Sequence, residues 1–396
     1  MALKAGRQKP EVHPVASLHD IFRPRRLKSA RALLETPGLE LTYNGRGALL
    51  RACQEIALSG RRKILMPAFH CPSGVTPALF AGLEPVFYRI RRDLSIDHAD
   101  LNTKADQETG GVLVIHFFGM KVDLAPLQGL RERGIRLIED WSHSFLQGSP
   151  PALVEIEGDY GIFSFWKLIP SSVGGGLWRR APAMVPGAQA PLPPLDERIV
   201  LLKRMLEESL ARSDHSWAWM VFQKLERLRL AMKPRRTEAQ TGAANGMRGE
   251  DHYPFDARLA ACTMPPLARQ IIECADLAAI ARLRRANYGR YAEQLSECPE
   301  LTCLFPVLPE TACPWVFPLL LPRRDDIDHH WLDSGVALHT FGLHLHSALF
   351  SSGDARTISD AVFLSRHVLC LSVHQNITRQ DIDRSLAVIA HSLDIP

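Results

Sequence analysis

Between residues 29 and 180 the chain alternates helical patterns with short apolar runs, and that alternation limits the fold more than any other feature. "KILMPAF", "EPVFYRI", "GVLVIHFFG" and "IRLIED" read as strands. "NGRGALLRACQEIALSG" reads as a turn feeding a helix, and "VDLAPLQGLRERG" as a helix that Gly134 ends. Such alternation predicts a largely parallel sheet with helices on its faces. Ligands of such sheets gather beyond the carboxyl ends of the strands. Pro67, His116, Asp140 and Lys167 all fall at or just past those ends.

Two of these carry chemistry. In "YGIFSFWKLIPSSVGGGLW", Lys167 sits among aromatic and apolar residues shortly before Gly174–Gly176, which read as a tight turn behind it. An ammonium loses its hydration on burial unless it is paired or gives up its charge. Asp140 leaves a core strand into "WSHSF", where a carboxylate needs a cationic partner. A structural ion pair satisfies both residues. So does pyridoxal phosphate (PLP): an Asp keeps its ring nitrogen protonated, and a neutral lysine amine forms the Schiff base.

A chain of 396 residues is long for one core, so two lobes are expected. The boundaries read as an N-terminal arm over 1–28, a large domain over 29–260 with loops at 181–196 and 233–251, and a small C-terminal domain over 261–396. An amphipathic stretch covers 197–232, the polar 233–251 segment reads as a mobile loop, and a helix covers roughly 265–297. "WVFPLLL" and "VLCLSV" are strands of the small domain, and "RDDIDHHWLDSG" is a helix. "TRQDIDRSLAVIAHSL" is a final helix capped by Thr378. The net charge of +4 is dispersed, which argues against a nucleic-acid partner. No apolar run approaches the ~20 residues of a membrane span, and the N-terminus lacks a secretory core. The eight cysteines form no CxxC pair; they fit a reducing cytoplasm and suggest no metal site. The cluster "HTFGLHLH", with His339, His344 and His346, lacks a convergent Cys or carboxylate and reads as a solvated loop. His116 reads as a packed strand-end residue as readily as a site residue, Trp315 as a small-domain core position ahead of a pocket-lining one, and "RPRR" at 23–26 as a solvated arm.

Several collinear motifs resemble the DegT/DnrJ/EryC1/StrS family of PLP-dependent aminotransferases. They include "ILMPAFHCPSGVTPALFAGLEPVFYRI", "VLVIHFFGMKVDLAPLQGLRERGIRLIEDWSHSF", "GDYGIFSFWKLIPSSVGGGLW", "LAAIARLRRANYGRYAEQL" and "LSVHQNIT". The resemblance implies fold type I, with a mostly parallel seven-stranded sheet in the large domain and a smaller C-terminal α/β domain. It implies a homodimer with a shared active site. The reaction implied carries an amino group from glutamate or glutamine to a keto or aldehyde acceptor, first of all a keto-sugar nucleotide and second a non-sugar carbonyl. Lys167 becomes the cofactor-bound lysine and proton carrier, and Asp140 the partner of the ring nitrogen. His143 lies beside the ring hydroxyl. Ser164 and the turn Gly45, Arg46, Gly47 receive the phosphate. Cys71 aligns with the residue that stacks on the ring, with Phe69 or His70 replacing it if the turn shifts. His339 and His344 fall near the substrate mouth.

The match departs from the family at three places. Arg46 replaces the hydroxyl of the phosphate turn, Cys71 replaces an aromatic ring, and Ser164 lies two residues nearer the lysine than is common. The segment expected to reach the partner's phosphate is rewritten, leaving Asn245, Arg248 and Arg258 as candidates. These departures keep open a different reading, a PLP-fold protein that binds or assembles without transaminating. The family's dehydratase branch replaces the lysine, so the retained Lys167 argues against that chemistry.

Overall fold

The computed structural model describes residues 12–22, 25–182, 190–212, 255–322, 324–351 and 354–393. Residues 213–254, which include Asn245, Arg248 and the 233–251 segment, lie outside the described residues.

Seven strands form the principal sheet: β1 Leu39–Thr42, β2 Lys63–Pro67, β3 Glu84–Tyr88, β4 Thr109–Ile115, β5 Arg136–Asp140, β6 Tyr160–Ser164 and β7 Gly175–Arg179. Their spatial order is β1-β7-β6-β5-β4-β2-β3. β7 runs antiparallel to both neighbours, and the other pairings are parallel. Strands buried on both faces carry continuous apolar runs, and every residue of β4 and β6 is buried. The strand ends of β1, β2, β4, β5 and β6 therefore share one edge, as the alternation of the sequence requires.

Helix α1, Gly45–Ala57, follows β1 and buries Leu49, Ala52, Cys53 and Ile56 against the sheet. Helix α2, Leu195–Arg212, is the described part of the amphipathic stretch. The single helix expected over 265–297 is two: α3 Pro266–Glu273 and α4 Leu277–Leu295. The break has a local cause, because Asp276 caps the second helix by accepting from Ala279 N–H. The C-terminal part includes β8 Thr302–Cys303, β9 Val316–Leu320, α5 Arg324–Asp333, β10 Leu338–His339, α6 Ala355–His367, β11 Val368–Ser372 and α7 Arg379–Ser392. Their strands form an antiparallel sheet in the order β8-β9-β11-β10. Thr378 caps α7 in a reciprocal box with Asp381. Trp331, Phe317, Leu369 and Ile389 pack a core of their own there.

Gly174–Gly176 do not form one turn. Gly174 alone has a left-handed φ, of 120°, while Gly175 and Gly176 pair with Thr42 and Leu41 inside the sheet. A β-carbon on Gly175 would stand 2.2 Å from the carbonyl carbon of Asn44. That glycine lets the start of α1 lie directly against the sheet.

Candidate active site

Lys167 ends a short turn, Phe165–Lys167, immediately after β6. Its Nζ lies 4.3 Å from the centroid of the Trp315 ring. Among the described residues no hydrogen bond or ion pair reaches this amine. Burial lowers its pKa, with the Asp140 charge the leading influence in the other direction. An amine so placed is driven toward the neutral, nucleophilic form.

Adjacent carboxylates at the end of β5 have opposite fates because successive strand residues face opposite sides. Glu139 is fully buried and accepts from His116 Nε2–H at 3.0 Å, Trp141 Nε1–H at 2.9 Å, Glu157 N–H at 2.7 Å and Gly158 N–H at 2.6 Å. Burial pushes its pKa up, but the donors, His116 foremost, hold it below the ordinary value. Asp140 accepts one hydrogen bond, from Ser142 N–H to Oδ1 at 2.8 Å. Its other oxygen has no partner among the described residues. Glu139 is saturated by structure; Asp140 is left available. His116 belongs to the first group: its ring is fully buried, 3.6 Å from that of Trp141.

At the start of α1, Asn44 Oδ1 accepts from Gly47 N–H at 2.9 Å, so Gly47 is used by the cap. A β-carbon on Gly47 would meet Ala260 O at 2.6 Å, a second reason for glycine there. Among the described residues the N–H of Gly45 has no such partner. A β-carbon on Gly45 would lie 3.3 Å from Ser142 Oγ and 3.4 Å from Ser164 Cβ. Neither hydroxyl is hydrogen-bonded within the described chain. Both serines stand beside the first turn of a thirteen-residue helix, where the N-terminal end of the helix dipole favours negative charge. Burial lowers the pKa of Arg46, whose side chain is half-buried near Cys71 and Tyr43.

The other expected residues are distributed unevenly. Cys71 is half-buried and acts electrostatically on both Lys167 and Arg46, so it faces the site. Phe69 is fully buried between Phe117 and Phe341, and His70 stacks on Phe87 with ring centroids 5.2 Å apart. Both are packed into the core behind the turn. His143 is buried between Phe118 and Trp315, with centroids 5.6 and 4.4 Å away, and its Nδ1 accepts from Phe118 N–H at 3.0 Å. Phe118 adopts a left-handed φ of 57° to make that contact. His339 lies 5.0 Å from Trp315, ring to ring, whereas His344 is exposed. Arg258 is held by its own neighbour Asp256.

Three residues near the lysine escaped the sequence reading. Ser142 stands two residues after Asp140, and only its contact with Gly45 marks it. Trp315, read as small-domain core, forms the surface under the Lys167 amine. His13 comes from the N-terminal arm. Val12 O accepts from Ser372 Oγ at 3.1 Å and Val15 N–H donates to Asn376 Oδ1 at 3.0 Å, which fixes the arm over the small sheet. His13 then packs 5.0 Å from Trp166 and 5.8 Å from His339, and its Nδ1 is buried without a hydrogen bond.

Burial is the first cause that lowers the pKa of His13 to about 4, His70 to about 4 and His339 to about 3; Lys167 adds to it at His13 and His339. His116 and His143 move the same way. The folded values lie below the unfolded value of about 6.5, so the contribution to stability is complete above pH 6.5. It is lost as pH falls toward 4. His70 alone, with both ring nitrogens engaged, accounts for about 2 kcal/mol of loss near pH 4.5. Urea unfolding at pH 7.0, 5.5 and 4.5 should show a steady fall of at least that size; a flat profile contradicts the buried neutral rings.

A seven-stranded, mostly parallel sheet with one antiparallel member, followed by a C-terminal α/β part, is the architecture of fold type I. Residues 41–177 match the model of the DegT/DnrJ/EryC1/StrS aminotransferase family. No curated protein sequence is a significant match. Among solved structures the fold is similar to the aminotransferase TlmJ from Streptoalloteichus hindustanus, with TM-score 0.65 at 19% identity over 98% of this chain and 99% of that one. PseC from Helicobacter pylori, an aminotransferase of pseudoaminic acid biosynthesis, gives 0.64 at 15% identity over 98% and 100%. The sugar aminotransferase CalS13 from Micromonospora echinospora gives 0.62 at 16% over 97% and 100%.

Proposed function

We propose that this chain is an active PLP-dependent aminotransferase that carries an amino group from glutamate or glutamine to a keto or aldehyde acceptor, first of all a keto-sugar nucleotide. The carrying observation is the unpaired, buried Lys167 amine beside an Asp140 carboxylate with one free oxygen. The donor set fits PLP. Lys167 would hold the aldehyde, Asp140 the ring nitrogen, and Ser142, Ser164 and the Gly45 and Arg46 N–H groups the phosphate. When bound, the cofactor supplies an electron sink for a carbanion next to nitrogen. The Lys167 amine would take the proton from the substrate carbon and return it in a 1,3-transfer, in each half of the exchange. The amino acid leaves as a 2-oxo acid and the acceptor carbonyl becomes an amine, so the exchange balances without another reagent. The sugar acceptor is supported by the likeness to CalS13, a sugar aminotransferase; a non-sugar carbonyl suits the same machinery. As in the family, a second copy of the chain would complete the site.

Purified protein reconstituted with PLP should turn yellow, and borohydride should fix a pyridoxyl group on Lys167. Glutamate or glutamine should then bleach the visible band. A coloured protein that no amino donor bleaches would favour a binding or assembly role, and a protein that cannot take up PLP sinks the enzymatic reading.

A further inference from the structure

Arg284 on α4 is fully buried, and no carboxylate pairs with it among the described residues. Its donors are nevertheless all engaged. Nη2–H groups donate to Lys167 O at 3.1 Å and Leu168 O at 3.4 Å. Nη1–H groups donate to Trp315 O at 3.0 Å and Pro314 O at 3.2 Å. Nε–H donates to Gln375 Oε1 at 3.2 Å, and Gln375 Nε2–H itself donates to Leu168 O at 3.0 Å. Five donors meet five acceptors drawn from three distant segments.

A guanidinium stripped of water and answered only by neutral dipoles is a costly way to fill space, and an apolar side chain would serve a core better. Burial brings its pKa down to about 10. What the arrangement secures is geometry. One planar group holds the backbone of Lys167 and the backbone of Trp315, and the amine of the first stands over the ring of the second. We infer that Arg284 is a positioning residue that sets the place of the Lys167 amine over Trp315, with Gln375 as its second support. The inference rests on the proposed use of Lys167 at this site. It is a statement about shape rather than charge, so lysine cannot substitute: it offers three donors from a point instead of five in a plane.

Arg284→Lys is compared with the unaltered protein by two measurements, thermal unfolding serving as the control for folding. In the PLP-loaded protein, borohydride should fix at least tenfold less pyridoxyl on Lys167, because displacement of about 1 Å is enough for such losses, while PLP still binds through the phosphate cradle. In the apo-protein, competitive acetylation read by mass spectrometry should label Lys167 roughly tenfold faster as the amine gains freedom. A folded Arg284→Lys protein in which both quantities stay within about twofold of the original overturns the inference. Should Arg284→Lys fail to fold, Gln375→Met decides by the same readouts: a lower fixed fraction and faster acetylation support it, and unchanged values overturn it. If the unaltered protein fixes no pyridoxyl at all, the proposed function fails, while the acetylation contrast still judges Arg284.

Discussion

Lys167→Ala is expected to abolish pyridoxyl fixation and lower the rate of amino transfer by about 10⁴-fold or more, since covalent attachment and proton carriage are lost together. The fold should survive. Among the described residues the amine has no hydrogen bond or ion pair to forfeit, so its removal strands no buried partner there. The protein should unfold at the same temperature or slightly higher, as often happens when a strained functional group is deleted. Thermal unfolding, mass spectrometry after borohydride treatment and turnover with glutamate check the three parts. Turnover within tenfold of the original, or a pyridoxyl group still found on the protein in equal yield, contradicts the role given to this lysine.

Asp140→Asn should leave the fold unchanged and slow transfer by roughly 10³-fold. The new amide oxygen can accept from Ser142 N–H as the carboxylate does, so the turn after β5 keeps its shape. The negative charge is lost, and with it the means of keeping a proton on the ring nitrogen. Because the Asp140 charge raises the Lys167 pKa, its removal should also move that pKa further down. Acetylation of the apo-protein as a function of pH reads this shift without any cofactor present. An unchanged acetylation profile together with full turnover would remove Asp140 from the site.

Much of the fold and the central pair of residues were legible because their causes are local. Strand period, helix-ending glycines and the rule about carboxyl ends act over a few residues, and Asp140 and Lys167 lie where those rules point. The break between α3 and α4 was legible too, in Asp276 before an apolar run, though the long helical pattern concealed it. The remainder depends on contacts between distant segments. Arg284 looks in sequence like one more charge on an amphipathic helix, and only the folded chain shows it facing Lys167, Pro314 and Gln375. Trp315 carries the pattern of a core residue, which it also is. Phe69 and His70 sit two and one residues before Cys71, yet the turn sends those two inward and the cysteine toward the lysine; their order gives no sign of it. His13 lies in an arm whose composition suggests only solvation.

That arm has a mechanical consequence. It is tied to the small sheet at Ser372 and Asn376, and a few residues later Ile21 O accepts from Gln270 Nε2–H on α3, beside the large sheet. A tether attached to both halves cannot stay slack when they shift. Any relative shift of the two would therefore pull on the span on which His13 rides, against Trp166 and His339.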